Sequence, residues 1–278
     1  MYKLPFAPPP PMARATPLCD GELLGRGSFS TVYKSTWHGM QVAIKDFNPQ
    51  ETTTQKTVDR AIAFAEHEIA IYSQLRHPHI VTFYGALPGE PRAIIMELMT
   101  HCLCELITQR PYRLIERDEA CVATQIASAL EFIHSNKIIH CDIKSDNIFV
   151  KEGVAKLGDF GLAKNADADP HGSQRGTLEW MAPELRTKAY LNSETTDIFA
   201  YGVTLWEIYT QGKQPSVTAI NSFRITPLEK PSLIAQVITA CLHPNPIQRY
   251  HAGRLVYELQ QFCISLGINP QIYRINVD

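Results

Sequence analysis

Two spacings of apolar residues divide the chain near residue 100. In the first hundred residues, short β-branched and aromatic runs follow one another: TVYKSTWH (31–38), MQVAIKDF (40–47), HIVTFYGAL (79–87) and RAIIMEL (92–98). Such runs, separated by turn residues such as His38 and Gly39, are typical of strands. Between about Thr57 and Leu75 the apolar residues instead recur at helical spacing. The pattern predicts a β-rich first lobe that contains one helix.

Beyond Met99 the apolar residues recur mainly at helical spacing. Val122, Ile126 and Ile133 mark one buried face between Asp118 and Ser135. Further helices are predicted at 195–211, 232–242 and 253–265, and short strands at NIFV (147–150) and AKLG (155–158). The sequence therefore predicts an α+β fold with two lobes that meet near residues 98–102.

Composition narrows the function classes. The 278 residues carry a net charge of −2, which argues against nucleic acid as the main partner. No apolar run reaches the roughly 20 residues of a membrane-spanning helix. Seven cysteines without framework spacing favour reduced thiols and a cytoplasmic protein. Residues 1–17 form a proline-rich N-terminal tail, which is either a plain leader or the ligand of a proline-motif-binding partner.

Three short stretches of the sequence are candidates for phosphate chemistry. Gly25 and Gly27 stand between two strand-like runs, where bare backbone amides can approach phosphate oxygens, although paired glycines are also common in hairpins. Lys45 follows the apolar residues Val42, Ala43 and Ile44, and its ammonium group either extends to solvent or binds phosphates. Asp159 in GDFG is either an exposed turn aspartate or a metal ligand.

The stretch KIIHCDIKSDNIFV (137–150) places polar groups between two apolar runs. Asp142, Lys144 and Asn147 lie among β-branched neighbours, where charged groups are costly unless they have partners. Cys141 directly precedes the aspartate.

Taken together, these stretches resemble the eukaryotic protein kinases. The order and spacing of six motifs match over about residues 18–265: Gly25–Lys34, Val42–Lys45, Glu68, His140–Asn147, Asp159–Gly161 and Ala182–Glu184. STVYKSTWHGMQVAIK and GTLEWMAPEL look most like the tyrosine-kinase-like group, which includes the mixed-lineage and Raf-type serine/threonine kinases. The resemblance implies a small first lobe (about 18–97), a hinge (about 97–101), a larger helical lobe (about 102–265) and a C-terminal tail (266–278).

The resemblance also implies roles for individual residues. Asp142 would accept or orient the substrate hydroxyl proton, Lys144 would neutralise the transferring phosphoryl group, and Asn147 and Asp159 would bind Mg²⁺, or Mn²⁺ in its place. Glu68 would hold Lys45 on the ATP phosphates, and the hydroxyl of Thr177 would contact both Asp142 and Lys144. The implied ATP-binding residues are Gly25, Arg26, Gly27, Ser28, Val32, Ala43, Lys45, Met96 (the gatekeeper), Glu97 and Met99, with Leu98 between the last two.

Contacts that support the site follow from the same resemblance. His140, Phe160, Tyr72 and Phe83 would form an aromatic stack, and Asp197 would hold the backbone of the loop that carries Asp142. Glu184 would form a buried ion pair with Arg249.

The chain departs from the family pattern in four places. Ser30 replaces the third glycine of the loop, Lys45 and Glu68 are far apart in sequence, and the region 212–241 is short. Cys141 replaces the arginine that in most related kinases holds a phosphate on the activation loop, which corresponds here to residues 162–175. We therefore expect a serine/threonine kinase whose activity does not require phosphorylation of that loop. The alternatives are a pseudokinase scaffold and a tyrosine or dual-specificity kinase.

Overall fold

The computed structural model describes residues 21–27, 30–47, 54–87, 93–109, 114–167, 176–186, 191–213, 216–219, 222–224 and 233–277. The proline-rich residues 1–17 lie outside this part of the chain, as do Ser28, Ser173 and Arg175. The chain forms two compact units. The first comprises the chain up to Glu66 together with Tyr84–Leu98, and the second comprises His67–Phe83 and the chain from Met99 onwards.

The first unit is built on an antiparallel sheet. Its strands are β1 (Leu23–Arg26), β2 (Thr31–Trp37), β3 (Met40–Asp46), β4 (Phe83–Leu87) and β5 (Ala93–Glu97), in the spatial order β1-β2-β3-β5-β4. Alternate residues of a strand face opposite sides of the sheet. Val42, Ile44 and Ile95 therefore bury one face, against which Trp37 and Tyr84 pack. The helix α1 (Gln55–Tyr72) begins in this unit, and the boundary between the units falls inside it.

Helices are the main secondary structure of the second unit. They are α2 (Leu103–Thr108), α3 (Glu116–Ser135), α4 (Pro183–Arg186), α5 (Glu194–Tyr209), α6 (Leu233–Cys241) and α7 (Ala252–Ser265). Most residues of α3 and α5 are buried, which identifies them as the central helices of the core. No helix in the described ranges has the length and apolar character needed to cross a membrane.

Short strands of the second unit carry the loops between the helices. They are β6 (His101–Cys102), β7 (Ile138–Ile139), β8 (Ile148–Lys151), β9 (Val154–Leu157), β10 (Lys164–Asn165), β11 (Ser216–Ala219) and β12 (Ser222–Arg224). They form three small sheets with the orders β6-β8-β9, β10-β7 and β11-β12. The predicted elements are therefore present wherever the structure describes them, with ends shifted by a few residues.

The residues after α7 pack back onto the second unit. The backbone amide of Ile275 donates to the carbonyl of Gly153 at 3.0 Å, and the side-chain amide of Gln125 donates to the carbonyl of Pro270 at 3.1 Å. Asp118 accepts from the hydroxyl of Tyr273 at 3.0 Å. The segment expected only as a tail thus supplies the hydrogen-bond partners of polar groups on α3.

Candidate active site

One buried carboxylate, that of Asp197, binds the backbone of the loop between β7 and β8. Asp197, near the start of α5, accepts hydrogen bonds from the backbone amides of His140 at 2.8 Å and Cys141 at 2.9 Å. Its second contact on Oδ2 is the ring of His134, at 3.0 Å. Cys141 has a φ of 70°, a left-handed conformation that costs a non-glycine residue about 1–3 kcal/mol. The paired contacts to Asp197 stabilise this turn, as the resemblance implied.

Asp142 lies at the centre of a polar network on this loop. Its Oδ1 accepts from the hydroxyl of Thr177 at 2.7 Å and from the Thr177 amide at 2.9 Å. Its Oδ2 accepts from the side-chain amide of Asn147 at 3.1 Å. Lys144 Nζ donates to the Thr177 hydroxyl at 3.1 Å and lies 3.7 Å from Asp142 Oδ2. The predicted contacts of Thr177 with Asp142 and Lys144 are therefore present.

A glycine allows the Thr177 segment to approach the loop this closely. Gly176 has a φ of +120°, which side chains with a Cβ rarely adopt. A Cβ on Gly176 would lie 2.5 Å from the carbonyl oxygen of Cys141. A larger residue would consequently push Thr177 away from Asp142.

The side chains of Asp159 and Phe160, which follow β9, differ in their exposure to solvent. Asp159 has a φ of 53° and an exposed side chain, whereas Phe160 is fully buried. The Phe160 ring meets Tyr72 edge-on at 4.9 Å between centroids and His140 at 4.8 Å, and Tyr72 stacks on Phe83 at 5.9 Å. Burial, and then the charge of Glu68, raises the pKa of Tyr72 well above its ordinary value, so its hydroxyl stays neutral. The predicted aromatic stack is confirmed.

Two residues offer oxygen ligands of the kind that Mg²⁺ prefers. The side-chain nitrogen of Asn147 donates to the carbonyl of Asp142 at 2.7 Å as well as to its carboxylate. Neither hydrogen bond uses the amide oxygen of Asn147, which is the atom that could bind a metal ion. Asp159 supplies an exposed carboxylate. The donor set therefore fits a hard divalent cation.

In the first unit, strand register gathers most of the predicted ATP-binding residues on one face. Gly25 pairs with Val32, Val32 with Lys45, and Ala43 with Met96. Directly paired residues share a face, and so do residues two apart in one strand. Gly25, Val32, Ala43, Lys45 and Met96 therefore lie on the face opposite the Val42 and Ile44 core.

The remaining predicted residues are divided between the two units. Arg26 ends β1, and Gly27 follows it, its amide donating to the carbonyl of Ser30 at 2.8 Å. Glu97 ends β5, and Met99 begins the next stretch of the second unit. Glu68 is 1% exposed and belongs to the second unit, whereas Lys45 belongs to the first. The ion pair between Lys45 and Glu68 stays a prediction.

The predicted ion pair of Glu184 with Arg249 is present. The two terminal guanidinium nitrogens of Arg249, Nη1 and Nη2, donate to the carboxylate of Glu184 at 2.6 Å and 2.8 Å. Arg249 also donates to the carbonyls of His243 and Thr195, and its guanidinium carbon lies 4.9 Å from the centroid of Phe199.

Two contacts near the site were not predicted from the sequence. The ring Nε2 of His67, on α1, lies 2.5 Å from the carbonyl oxygen of Ala163. The hydroxyl of Ser145 donates to Oε1 of the fully buried Glu207 at 2.8 Å. Glu207 is a charged residue inside the apolar stretch TLWEIY (204–209), a sequence signal that could have identified it. Ser145 stands among polar residues and gives no such signal.

Comparisons with known proteins agree with this arrangement. The family model described as protein tyrosine and serine/threonine kinase matches residues 18–259. Over 197 residues, 68% of this chain and 18% of the relative, the chain is 38% identical to the probable serine/threonine-protein kinase SIS8 of Arabidopsis thaliana. It is 34% identical to the serine/threonine-protein kinase CTR1 of the same plant over 84% of this chain and 30% of the relative.

An animal protein is similar to the same degree. The RAF proto-oncogene serine/threonine-protein kinase of Xenopus laevis is 35% identical over 201 residues, 67% of this chain and 30% of the relative. The matches thus span less than a third of the length of these curated relatives.

Proposed function

Because this chain belongs to the protein tyrosine and serine/threonine kinase family, we propose that it transfers the γ-phosphate of ATP to serine or threonine hydroxyls of protein substrates. The observation that carries this proposal is the network around Asp142, in which one carboxylate contacts Thr177, Asn147 and Lys144. Phosphoryl transfer needs little covalent help from the protein and depends on positioning and charge stabilisation.

In this proposal Asp142 receives and orients the substrate hydroxyl. A carboxylate has about four acceptor positions. Thr177 occupies two on Oδ1 and Asn147 one on Oδ2, so Oδ2 retains capacity for the hydroxyl proton. Lys144, held on the Thr177 hydroxyl, places a positive charge beside the same oxygen. That charge would stabilise negative charge developing on the transferring group.

The other residues would bind the second substrate. Kinases of this family generally use ATP with Mg²⁺, and such a cation would neutralise negative charge on the phosphates. Asn147 and Asp159 would hold the cation through their oxygens. Lys45 would bind the phosphates, supported by Glu68. The sheet face that carries Gly25, Val32, Ala43 and Met96 would receive the nucleotide, together with Arg26, Gly27, Ser28, Glu97 and Met99.

Serine/threonine specificity rests on Lys144 and Thr177. In the family a lysine two residues after the aspartate accompanies this specificity, and the Lys144–Thr177 hydrogen bond gives it a structural basis. The relatives SIS8, CTR1 and RAF carry serine/threonine kinase in their names.

A peptide array with Mg²⁺ and ATP tests the proposal. Each peptide is offered with serine, threonine or tyrosine as the only acceptor, and Asp142→Asn serves as the control for specific catalysis. Removal of a general base typically costs about 10²–10⁴-fold in rate, so we expect transfer to serine and threonine that Asp142→Asn lacks. Transfer to tyrosine alone would contradict the specificity, and the absence of any transfer would favour a pseudokinase scaffold.

We propose further that activity does not require phosphorylation of the activation loop. A phosphate on such a loop needs a charged partner, and charge-assisted hydrogen bonds contribute about 1.5–3 kcal/mol. Cys141 cannot supply one because a thiol is a weak donor. Its side chain is buried, with Sγ 3.6 Å from the carbonyl of Ile139.

Phosphatase treatment tests this second proposal. Initial rates on a serine peptide are measured before and after treatment, and we expect a change of less than about threefold. A drop of more than about tenfold that Ser173→Asp reverses would contradict it, because a shift of that size needs a phosphate-ordered loop.

The location that we propose is the cytoplasm, in agreement with six free thiols among the described residues.

A further inference from the structure

The residues after Asp159 are fastened to their surroundings by contacts that involve no phosphate. Lys164 pairs with Ile139 in the β10-β7 sheet, and the amide of Ala166 donates to the carbonyl of Lys137 at 2.7 Å. These contacts hold one side of the segment 160–166. Neither of these contacts involves the carbonyl of Ala163, which accepts a hydrogen bond from a partner in a different part of the chain.

That partner is His67. A carbonyl oxygen only accepts hydrogen bonds, so the ring nitrogen Nε2 at 2.5 Å must carry the hydrogen and donate it. The contact joins residues 96 positions apart. His67 directly precedes Glu68 in α1, and Ala163 follows Phe160 by three residues.

A second contact from the same helix acts beside it. Tyr72 meets the Phe160 ring edge-on, so the last turns of α1 contact the segment at residue 160 and at residue 163. Ala163 is fully buried, which shields its hydrogen bond from competition by water. The two contacts together fix the backbone that directly follows Asp159, the proposed metal ligand.

We infer that His67 is a positioning residue that fastens the start of the activation loop to the helix carrying Glu68, in place of a loop phosphate. The inference rests on the proposed kinase function. His67 contacts the backbone of Ala163 and is not among the residues proposed to bind ATP, Mg²⁺ or the substrate hydroxyl, so its effect on phosphoryl transfer would pass through the placement of Asp159.

Two substitutions at one position separate the hydrogen bond from the bulk of the ring. His67→Phe keeps an aromatic ring and removes the donor. His67→Gln is the matched control, because its side-chain N–H group sits at a similar distance from the backbone and can donate to the same carbonyl. The side chain of His67 is only partly buried, so both variants should fold, which circular dichroism and thermal unfolding verify. His67→Leu serves as a second donor-free variant should His67→Phe not fold.

The first measurement, hydrogen exchange followed by mass spectrometry, needs no activity. We expect peptides covering residues 160–167 to exchange at least threefold faster in His67→Phe than in the wild type, and at the wild-type rate in His67→Gln. Equal exchange in the wild type and His67→Phe would overturn the inference. So would faster exchange of equal size in both variants, because that would reflect packing of the ring rather than donation.

The second measurement is steady-state kinetics on phosphatase-treated protein. We expect kcat of His67→Phe to fall about three- to tenfold, the range that one neutral hydrogen bond supports, while the KM for peptide is unchanged. His67→Gln should recover most of the loss. An unchanged kcat in His67→Phe would overturn the inference. A wild-type protein without phosphotransfer would instead refute the proposed function, and the exchange result would still decide the contact.

Discussion

Removing the charge of Glu184 should destabilise the second unit strongly. Arg249 has a side chain that is 0% exposed, and Glu184 supplies its counter-charge through two hydrogen bonds. Glu184→Gln keeps the shape of the side chain but leaves the guanidinium charge buried beside an amide. Breaking a buried pair from one side typically costs about 3–5 kcal/mol. Since the guanidinium keeps its carbonyl partners and the ring of Phe199, we expect the lower half of this range, about 3–4 kcal/mol.

Urea unfolding measures this cost. With a slope of about 3 kcal/mol/M, the high end for small proteins, a loss of 3–4 kcal/mol lowers the midpoint by about 1.0–1.3 M. Tryptophan fluorescence follows the transition, and of the three tryptophans Trp180 and Trp206 belong to the second unit. The wild type and each variant also carry Trp37→Phe, which removes the tryptophan of the first unit. The fluorescence then reports unfolding of the second unit alone, even if the first unit unfolds in a separate transition.

A double variant provides the control. Glu184→Leu combined with Arg249→Met removes both charges and leaves no buried ion without a partner, so it should be clearly more stable than Glu184→Gln. If Glu184→Gln unfolds within 0.3 M of the wild type, a shift of about 1 kcal/mol, the buried pair does not stabilise the fold as argued.

Four further substitutions test the site itself. Asp159→Asn should lower kcat about 10²-fold or more and weaken Mg²⁺ activation while leaving thermal unfolding unchanged, and substantial activity in the folded variant would refute its metal role. Lys45→Met should abolish activity. Glu68→Gln should reduce activity less, because the amide oxygen still accepts a hydrogen bond. Wild-type rates in Lys45→Met would exclude the predicted phosphate contact. Gly176→Ala should lower kcat at least tenfold, since its Cβ would meet the Cys141 carbonyl at 2.5 Å, and unchanged kinetics would show that the loop adapts.

The sequence predicted those parts of the site in which residue type and spacing are characteristic. Asp142, Asn147 and Asp159 occur at family spacing, and the structure places Asp142 and Asn147 in one network. The ion pair of Glu184 with Arg249 was predictable for the same reason, since each charge is costly to bury without the other.

Two other contacts to backbone atoms were not predicted from the sequence. His67 donates to the carbonyl of Ala163, and a carbonyl is the same whichever side chain the residue carries. The acceptor therefore leaves no signal in the sequence, and an isolated histidine in a helix has many alternative roles. The packing of the last residues was missed similarly, because Gln125 reaches the backbone carbonyl of Pro270.

The residues after α7 have a consequence for nonsense mutations that fall beyond the family match. A stop codon after Ser265 would spare every residue of the family match, which ends at residue 259. The truncated protein would nevertheless lose the Tyr273 hydroxyl and the amide of Asn276 from the buried Asp118, along with the buried Ile268 and Ile275. A buried carboxylate that has lost two of its hydrogen-bond donors, together with newly exposed apolar surface, is a feature that cellular quality control acts on. We expect such an allele to act through low protein abundance, as a loss of function, with every catalytic residue still encoded.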